Sequence, residues 1–207
     1  MKMPVDTFFE QLQHKLNTAL IGEAAHLRMI PQGRDLYPKQ DENPRKSAVL
    51  IAFYYHEDEI YFPLIKRASN NGSHSGQMAL PGGKYEDADK DLIQTALREA
   101  DEEVGIKASD VQVLGTLTEI YIGVTNYTVL PVVGFVSNKP DFVPDPTEVE
   151  EIHQVKLSEL LKPENQHREE WNIRNQKVQV PYYNLVNAKV WGATAMILSE
   201  LESLLTE

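Results

Sequence analysis

One segment constrains this chain more than any other: residues 91–104 carry a single strongly amphipathic helix pattern among runs that read as strands. Leu92, Ile93, Ala96, Leu97, Ala100 and Val104 recur at helical spacing, so one stripe must be buried against something flat. Ahead of it lie two strand candidates, Ala48–Tyr55 and Ile60–Arg67, separated by the turn-like HEDE. The short apolar MAL and the turn PGG lead into the helix. Behind it come strand candidates at Val111–Ile120, Tyr127–Val136 and 178–185, a short helix at 157–161, and a closing helix from Lys189 to Leu205. Residues 5–20 form a further amphipathic pattern, with Thr7 as cap and Phe8, Phe9, Leu12, Leu16 and Leu20 on one face. Strands on both sides of one central helix, with a helix closing the chain, predict a mixed α/β sandwich. Regular βαβ alternation is absent, which argues against a doubly wound fold. Residues 31–46, rich in Pro and charge, read as a connecting loop, so a helical N-terminal extension (1–30) precedes the main domain (31–207).

Composition narrows the class. With 207 residues and 42% hydrophobic content there is ample material for a buried core, and a 25% charged fraction excludes wholesale disorder. The absence of cysteine excludes disulfides, thiolate zinc sites and a cysteine nucleophile. A formal net charge of −11 argues against nucleic-acid or anionic-membrane surfaces, which depend on clustered Lys and Arg. No apolar run approaches the ~20 residues needed to span a bilayer. The opening MKMPVDTFFEQLQHKL lacks a continuous apolar stretch, so a soluble, cytoplasmic protein is expected. An anionic substrate would need a bound cation or a few placed basic residues.

The acidic residues around the helix supply the functional signal. From Lys84 to Glu103 there are eight acids (Glu86, Asp87, Asp89, Asp91, Glu99, Asp101, Glu102 and Glu103) against Lys84, Lys90 and Arg98. An acidic helical face is usually just solvated. Here the geometry argues otherwise. At 100° per residue, Glu103 falls about 40° to one side of Glu99 and Glu102 about 60° to the other. Glu103 therefore sits inside the edge of the apolar stripe, and Glu99 borders it. Like-charged carboxylates at i, i+4 destabilise a helix, and partial burial worsens the repulsion. A divalent cation removes that penalty, and oxygen-only ligands suit Mg²⁺ or Mn²⁺. Asp101 points to the opposite, solvated side. Gly105 stands where a left-handed helix cap belongs. Gly82 and Gly83 allow backbone to approach a ligand or metal closely.

At these residues the sequence resembles the Nudix hydrolases, whose signature is G-x5-E-x7-R-E-U-x-E-E-x-G-U with U aliphatic. Gly83, Arg98, Glu99, Glu102, Glu103, Gly105 and Ile106 match, and Ala100 takes the first aliphatic place. The spacing from Gly83 to Arg98 is one residue longer than the pattern, and the early Glu is replaced by Asp89 or a neighbour. The preceding LIKRASNNGSHSGQMALPGG is similar to the motif of the coenzyme A diphosphatases. Leu64, Arg67, Ala68, Gly76, Pro81, Gly82 and Gly83 agree, whereas Gly72 stands where the motif has Arg and Leu80 where it has Phe. The likeness extends through 130–136 and 191–201.

The resemblance implies a Nudix-type α/β/α sandwich with a mixed sheet and Mg²⁺- or Mn²⁺-dependent hydrolysis of the diphosphate of coenzyme A and its acyl derivatives. Glu99, Glu102, Glu103 and the Gly83 carbonyl would hold the metal. Glu102, Glu103 and Arg98 would carry the chemistry, Arg98 by orienting a carboxylate. Arg67, His74 and Gly82 would meet the substrate. The general base stays open between a box Glu and Glu148, Glu150 or Glu151, which by composition alone are a solvated acidic run. The implied partner is a small molecule, with no nucleic acid or membrane; a homodimer stays open. The rival readings are a Nudix hydrolase of nucleoside triphosphates, dinucleotides or ADP-ribose, a non-catalytic nucleotide sensor, and a purely structural cation site.

Overall fold

The computed structural model of the chain describes residues 5–18, 20–33, 43–68, 76–173 and 175–206. In chain order these form α1 (Val5–Thr18), α2 (Glu23–His26), β1 (Arg45–His56), β2 (Glu59–Arg67), β3 (Met78–Ala79), β4 (Gly82–Lys84) and α3 (Leu92–Val104). There follow β5 (Val111–Thr116), β6 (Ile120–Ile122), β7 (Tyr127–Val136), β8 (Val149–Lys156) and α4 (Leu157–Leu160). The chain closes with β9 (Gln166–Ile173), β10 (Gln176–Leu185), β11 (Ala188–Trp191) and α5 (Gly192–Thr206).

The nearly unbroken apolar run of β1 marks a strand covered on both faces. Its alternate residues separate accordingly. Ala48, Leu50, Ala52 and Tyr54 join a core with Ala96, Ala100 and Val104 of α3. Ile51 and Phe53 join the opposite core, with Phe9, Leu12 and Leu16 of α1 and Ile197, Leu201 and Leu204 of α5. The expected α/β/α sandwich is therefore present, with α3 on one face of the sheet and α1 with α5 on the other. β1 pairs in parallel with β7, from Arg45↔Tyr127 to Tyr54↔Val136, and antiparallel with β2 and β4, so the sheet is mixed. The β1–β2 hairpin turns at Glu57 and Asp58, whose φ of 47° and 61° give the left-handed pair a tight hairpin needs. β2 also pairs with β3 and β8, and β7 with β5 and β6.

Several elements differ from the sequence expectation. Thr7 lies inside α1 and does not cap it, and Leu20 lies beyond its end, 41% exposed. The N-terminal helix shares the core layer of α5: Phe9 packs 4.1 Å from the ring of Phe135, and Lys15 Nζ donates to the Leu204 carbonyl at 2.8 Å. The expected 111–120 strand is broken into β5 and β6. PGG is an extended segment paired with β1 and not a turn, because its glycines fit against the backbone of Ala48 and Val49. β8, β9 and β11 stand where the sequence predicts no strand. β11 takes the first residues assigned to the closing helix, since Val186 and Asn187 (φ 48° and 60°) turn the chain back onto β10. Together β9, β10 and β11 form a separate three-stranded sheet. Residues 34–42 of the connecting loop lie outside the described residues.

Candidate active site

Both ends of α3 are fixed by local chemistry. Asp91 caps the start, its Oδ1 accepting from the Gln94 N–H at 2.8 Å. At the other end Gly105 takes the left-handed conformation (φ 76°), and the N–H groups of Gly105 and Ile106 return to the carbonyls of Asp101 and Ala100. With the helix so phased, Ala96, Ala100 and Val104 are fully buried. The three carboxylates grade outward as the helical wheel predicts: side-chain exposure is 2% for Glu103, 13% for Glu99 and 58% for Glu102.

The glycine pair seats the two inner acids. Gly82 N–H donates to Glu103 Oε2 at 2.8 Å. A Cβ on Gly82 would lie 2.3 Å from the Ala48 carbonyl, and its φ of 152° disfavours any other residue. A Cβ on Gly83 would lie 2.4 Å from Glu99 Oε2, so a side chain there would move that carboxylate from its place beside Arg98. Gly82, expected on the substrate side, thus gives its donor to Glu103.

Arg98 is the hub of the outer acids. Its Nε donates to Asp89 Oδ1 at 2.9 Å and Nη2 to Asp89 Oδ2 at 3.1 Å, while Nη1 is shared by Glu99 (3.0 Å) and Glu102 (2.9 Å). Nη2 also reaches the Lys84 carbonyl at 2.9 Å. Asp89 accepts further from the Glu86 N–H and the Thr95 hydroxyl. Hydrogen bonds from Arg98, with those of Glu86 and Thr95, outweigh burial and hold the Asp89 carboxyl down at about 2. Asp89, one of the candidates for the early signature acid, is therefore the fixed partner of Arg98.

Glu103 behaves oppositely. Burial pushes its carboxyl up to about 7, against the Gly82 hydrogen bond and the Arg67 charge. Its Oε1 has no hydrogen-bond partner among the described residues; Arg67 Nη1 stands 3.5 Å away. Burial also raises Glu99. Arg67, at the end of β2, spans from Glu103 to Glu148, whose Oε2 lies 3.7 Å from Nη2. This proximity divides the acidic run: Glu148 joins the site, whereas Glu150 and Glu151 pair with Lys66. Sequence reasoning left the three equivalent, because the pairing of β8 with β2 that separates them is non-local. Asp101, on the far side of α3, pairs with Lys107 at 2.6 Å. His74 and Gly72 lie outside the described residues.

The donor set fits a hard divalent cation in kind: three carboxylates of one helix, one buried oxygen without a hydrogen bond, and the Gly83 backbone beside Glu99. It is not a finished cage. Among the described residues no three acidic or imidazole groups already converge on one point, and Arg98 Nη1 bridges Glu99 and Glu102.

The chain is also similar to known proteins. A family model described as NUDIX domain matches residues 44–175. The chain is 37% identical to Nudix hydrolase NudL, described as uncharacterized, of Photorhabdus laumondii over 165 residues, covering 79% of this chain and 87% of that protein. It is 37% identical to the mitochondrial Nudix hydrolase 15 of Arabidopsis thaliana over 171 residues; the match covers 79% of this chain but 60% of that longer plant protein. A solved MutT/nudix family protein from Enterococcus faecalis shares the fold, with a TM-score of 0.54 at 14% identity, covering 96% of this chain and 73% of that one. With the match spanning the glycine pair, the Arg98 hub and the three graded carboxylates, the chain belongs to the NUDIX family.

Proposed function

We propose that this chain is a hydrolase of pyrophosphate bonds in nucleotide-derived small molecules, and that its substrate is coenzyme A and its acyl derivatives. The products would be 4′-phosphopantetheine and adenosine 3′,5′-bisphosphate. The observation that carries the hydrolase reading is Glu103: a nearly buried carboxylate held by Gly82, with one oxygen that has no hydrogen-bond partner among the described residues. The coenzyme A assignment rests on the segment from Leu64 to Gly83. A soluble, cytoplasmic protein belongs to the same proposal. Among the described residues no helix is long and apolar enough to cross a membrane.

Glu99, Glu102, Glu103 and the Gly83 carbonyl would hold Mg²⁺ or Mn²⁺, which supplies phosphate charge neutralisation and a water of lowered pKa. The chain's own residues supply the rest. Arg98 aligns Glu99 and Glu102 and is itself anchored by Asp89. Arg67 presents a guanidinium to substrate phosphate while bridging Glu103 and Glu148. Glu148, half exposed and beside Arg67, is the best placed of the open candidates to take the proton of the attacking water. As that water bonds to one phosphorus, the bridging P–O bond breaks and the second phosphate leaves with its charge. His74 is assigned to the substrate on the motif alone.

Product analysis after incubation with coenzyme A and Mg²⁺ tests the reading. The two named products should form, chelator should stop the reaction, and added Mg²⁺ should restore it. Turnover of nucleoside triphosphates, dinucleotides or ADP-ribose in preference to coenzyme A would move the substrate assignment within the family. Nucleotide binding without turnover of any of them would leave a sensor domain.

A further inference from the structure

A strap of backbone ties the end of α3 to Glu148. The last carbonyls of a helix have no intrahelical donor. Here two of them are met from the loop that follows β7: Val143 N–H donates to the Val104 carbonyl at 3.1 Å, and Asp145 N–H to the Glu103 carbonyl at 3.0 Å. Asp145 then opens a tight turn. Its carbonyl accepts from the N–H of Glu148 (3.1 Å) and Val149 (2.8 Å), with Pro146 at the second turn position, where its fixed φ suits the geometry. The Asp145 side chain braces the same turn from within: Oδ1 accepts from both the N–H and the hydroxyl of Thr147, each at 2.8 Å. Those hydrogen bonds from Thr147 hold the Asp145 carboxyl below its ordinary range. Beyond the turn, the Glu148 carbonyl accepts from Ala68 N–H at 2.8 Å, next to Arg67.

Asp145 is thus one residue bonded to the backbone of Glu103, to Thr147 and to the backbone of Glu148. We propose that Asp145, through its side-chain brace on Thr147, is a positioning residue that fixes Glu148 relative to the helix carrying Glu99, Glu102 and Glu103. The role rests on the proposed assignment of Glu148 as proton acceptor. It gives a function to the Asp-Pro-Thr-Glu turn, which composition alone marks as an ordinary loop. Asp145 is not among the residues assigned to the cation or the substrate and acts only by limiting where the Glu148 carboxylate can go. A misplacement of about 1 Å at a reacting group costs on the order of a hundredfold in rate at most, so a partial loss is expected from a brace.

The test is steady-state hydrolysis of coenzyme A with Mg²⁺ by the full chain and its variants. Asp145→Ala should lower kcat about tenfold with KM within twofold, and its thermal unfolding should stay close to that of the unaltered chain because the bonds of Asp145 to Glu103, Glu148 and Val149 are made by backbone atoms that the substitution keeps. Asp145→Asn, which keeps an oxygen acceptor for Thr147, should recover most of the loss. In a Glu148→Gln background, Asp145→Ala should add nothing further, since there is no proton acceptor left to place. Wild-type kcat in Asp145→Ala, or a loss that multiplies with that of Glu148→Gln, overturns the positioning role and leaves the hydrolase reading intact. Wild-type activity in Glu148→Gln removes Glu148 from the chemistry and Asp145 with it. An unaltered chain that cuts no diphosphate refutes the hydrolase reading itself.

Discussion

Among the described residues Glu103 of α3 and Glu200 and Glu202 of α5 are buried, and Glu103 and Glu200 differ in how much of the carboxylate is spent. Glu200 of α5 is fully buried and accepts four hydrogen bonds: from Gly22 N–H (2.9 Å), His26 Nε2 (3.0 Å), Thr118 N–H (3.1 Å) and the Thr118 hydroxyl (2.6 Å). Burial alone would raise its carboxyl, yet the bonds from His26, Thr118 and Gly22 bring it below the ordinary value. Glu103 of α3 is 2% exposed, but it has one backbone donor, a distant Arg67 and an oxygen with no hydrogen-bond partner among the described residues, so it is held up at about 7. Burial is the same; satisfaction is not. A saturated buried carboxylate ties elements together, here α2, the segment after β5 and α5. An unsaturated one stores electrostatic cost that a cation can relieve.

This contrast can be broken by substitution. The largest effect is expected at Glu103→Gln, which removes the charge and keeps the shape. Turnover should fall about a thousandfold, roughly 4 kcal/mol of barrier, with unfolding unchanged or shifted upward. Asp101→Asn, across the helix, is the matched control and should hydrolyse like the unaltered chain. Glu200→Ala should do the reverse. It strands the buried His26 and the partly buried Thr118 and should cost about 3–5 kcal/mol of stability in urea unfolding, with little change in kcat of the folded fraction. Equal loss of activity from both variants would erase the distinction.

Acid titration gives the next effect and a sign. Without metal, folded Glu103 keeps its proton up to about 7, whereas the unfolded chain releases it near the ordinary 4.5. The folded state therefore binds more protons between those values, and stability should fall as pH rises from about 4.5 to 7, by about 3 kcal/mol in all. Asp89 has the opposite sign: its contribution is complete above the ordinary 3.8 and is lost as pH falls through about 2. Unfolding free energies measured across this range should lose the upper slope in Glu103→Gln. Persistence of that slope would assign it to another group.

The smallest change concerns recognition. Arg67→Ala should cost about 1.5–3 kcal/mol, largely in KM, the worth of a charged hydrogen bond. If Arg67 meets the 3′-phosphate, the loss should be greater for coenzyme A than for dephospho-coenzyme A. Equal losses would place it at the diphosphate.

What was legible in the sequence follows from how local each signal is. The continuous apolar run of β1, the two-faced pattern of α3 and the 100° arithmetic that put Glu103 at the core edge are properties of short segments, and the structure reproduces them. Asp89 is one candidate among neighbouring acids for the early signature position, and its pairing with Arg98 depends on the turn before α3. The sequence predicts no strand at β8 or β9, since VEEIHQVK and QHREEWNI gain their strand character from pairing with β2 and β10 and not from alternation. The approach of Glu148 to Arg67 depends on that same β2–β8 register and could not be read from spacing. PGG read as a turn because Pro and Gly usually make one; here the glycines serve close approach to β1 and Glu99.

The central claim is that the unsaturated carboxylate of α3, and not burial as such, makes a cation site. Titration of Mn²⁺ into the chelator-stripped chain, followed by electron paramagnetic resonance, tests it most directly, with Glu103→Gln and Glu200→Gln compared at a temperature where both are folded. The account predicts saturable Mn²⁺ binding by the unaltered chain and by Glu200→Gln, and at least about a tenfold weaker binding by Glu103→Gln. Binding by Glu103→Gln equal to that of the unaltered chain, or no saturable binding by the unaltered chain, would contradict it.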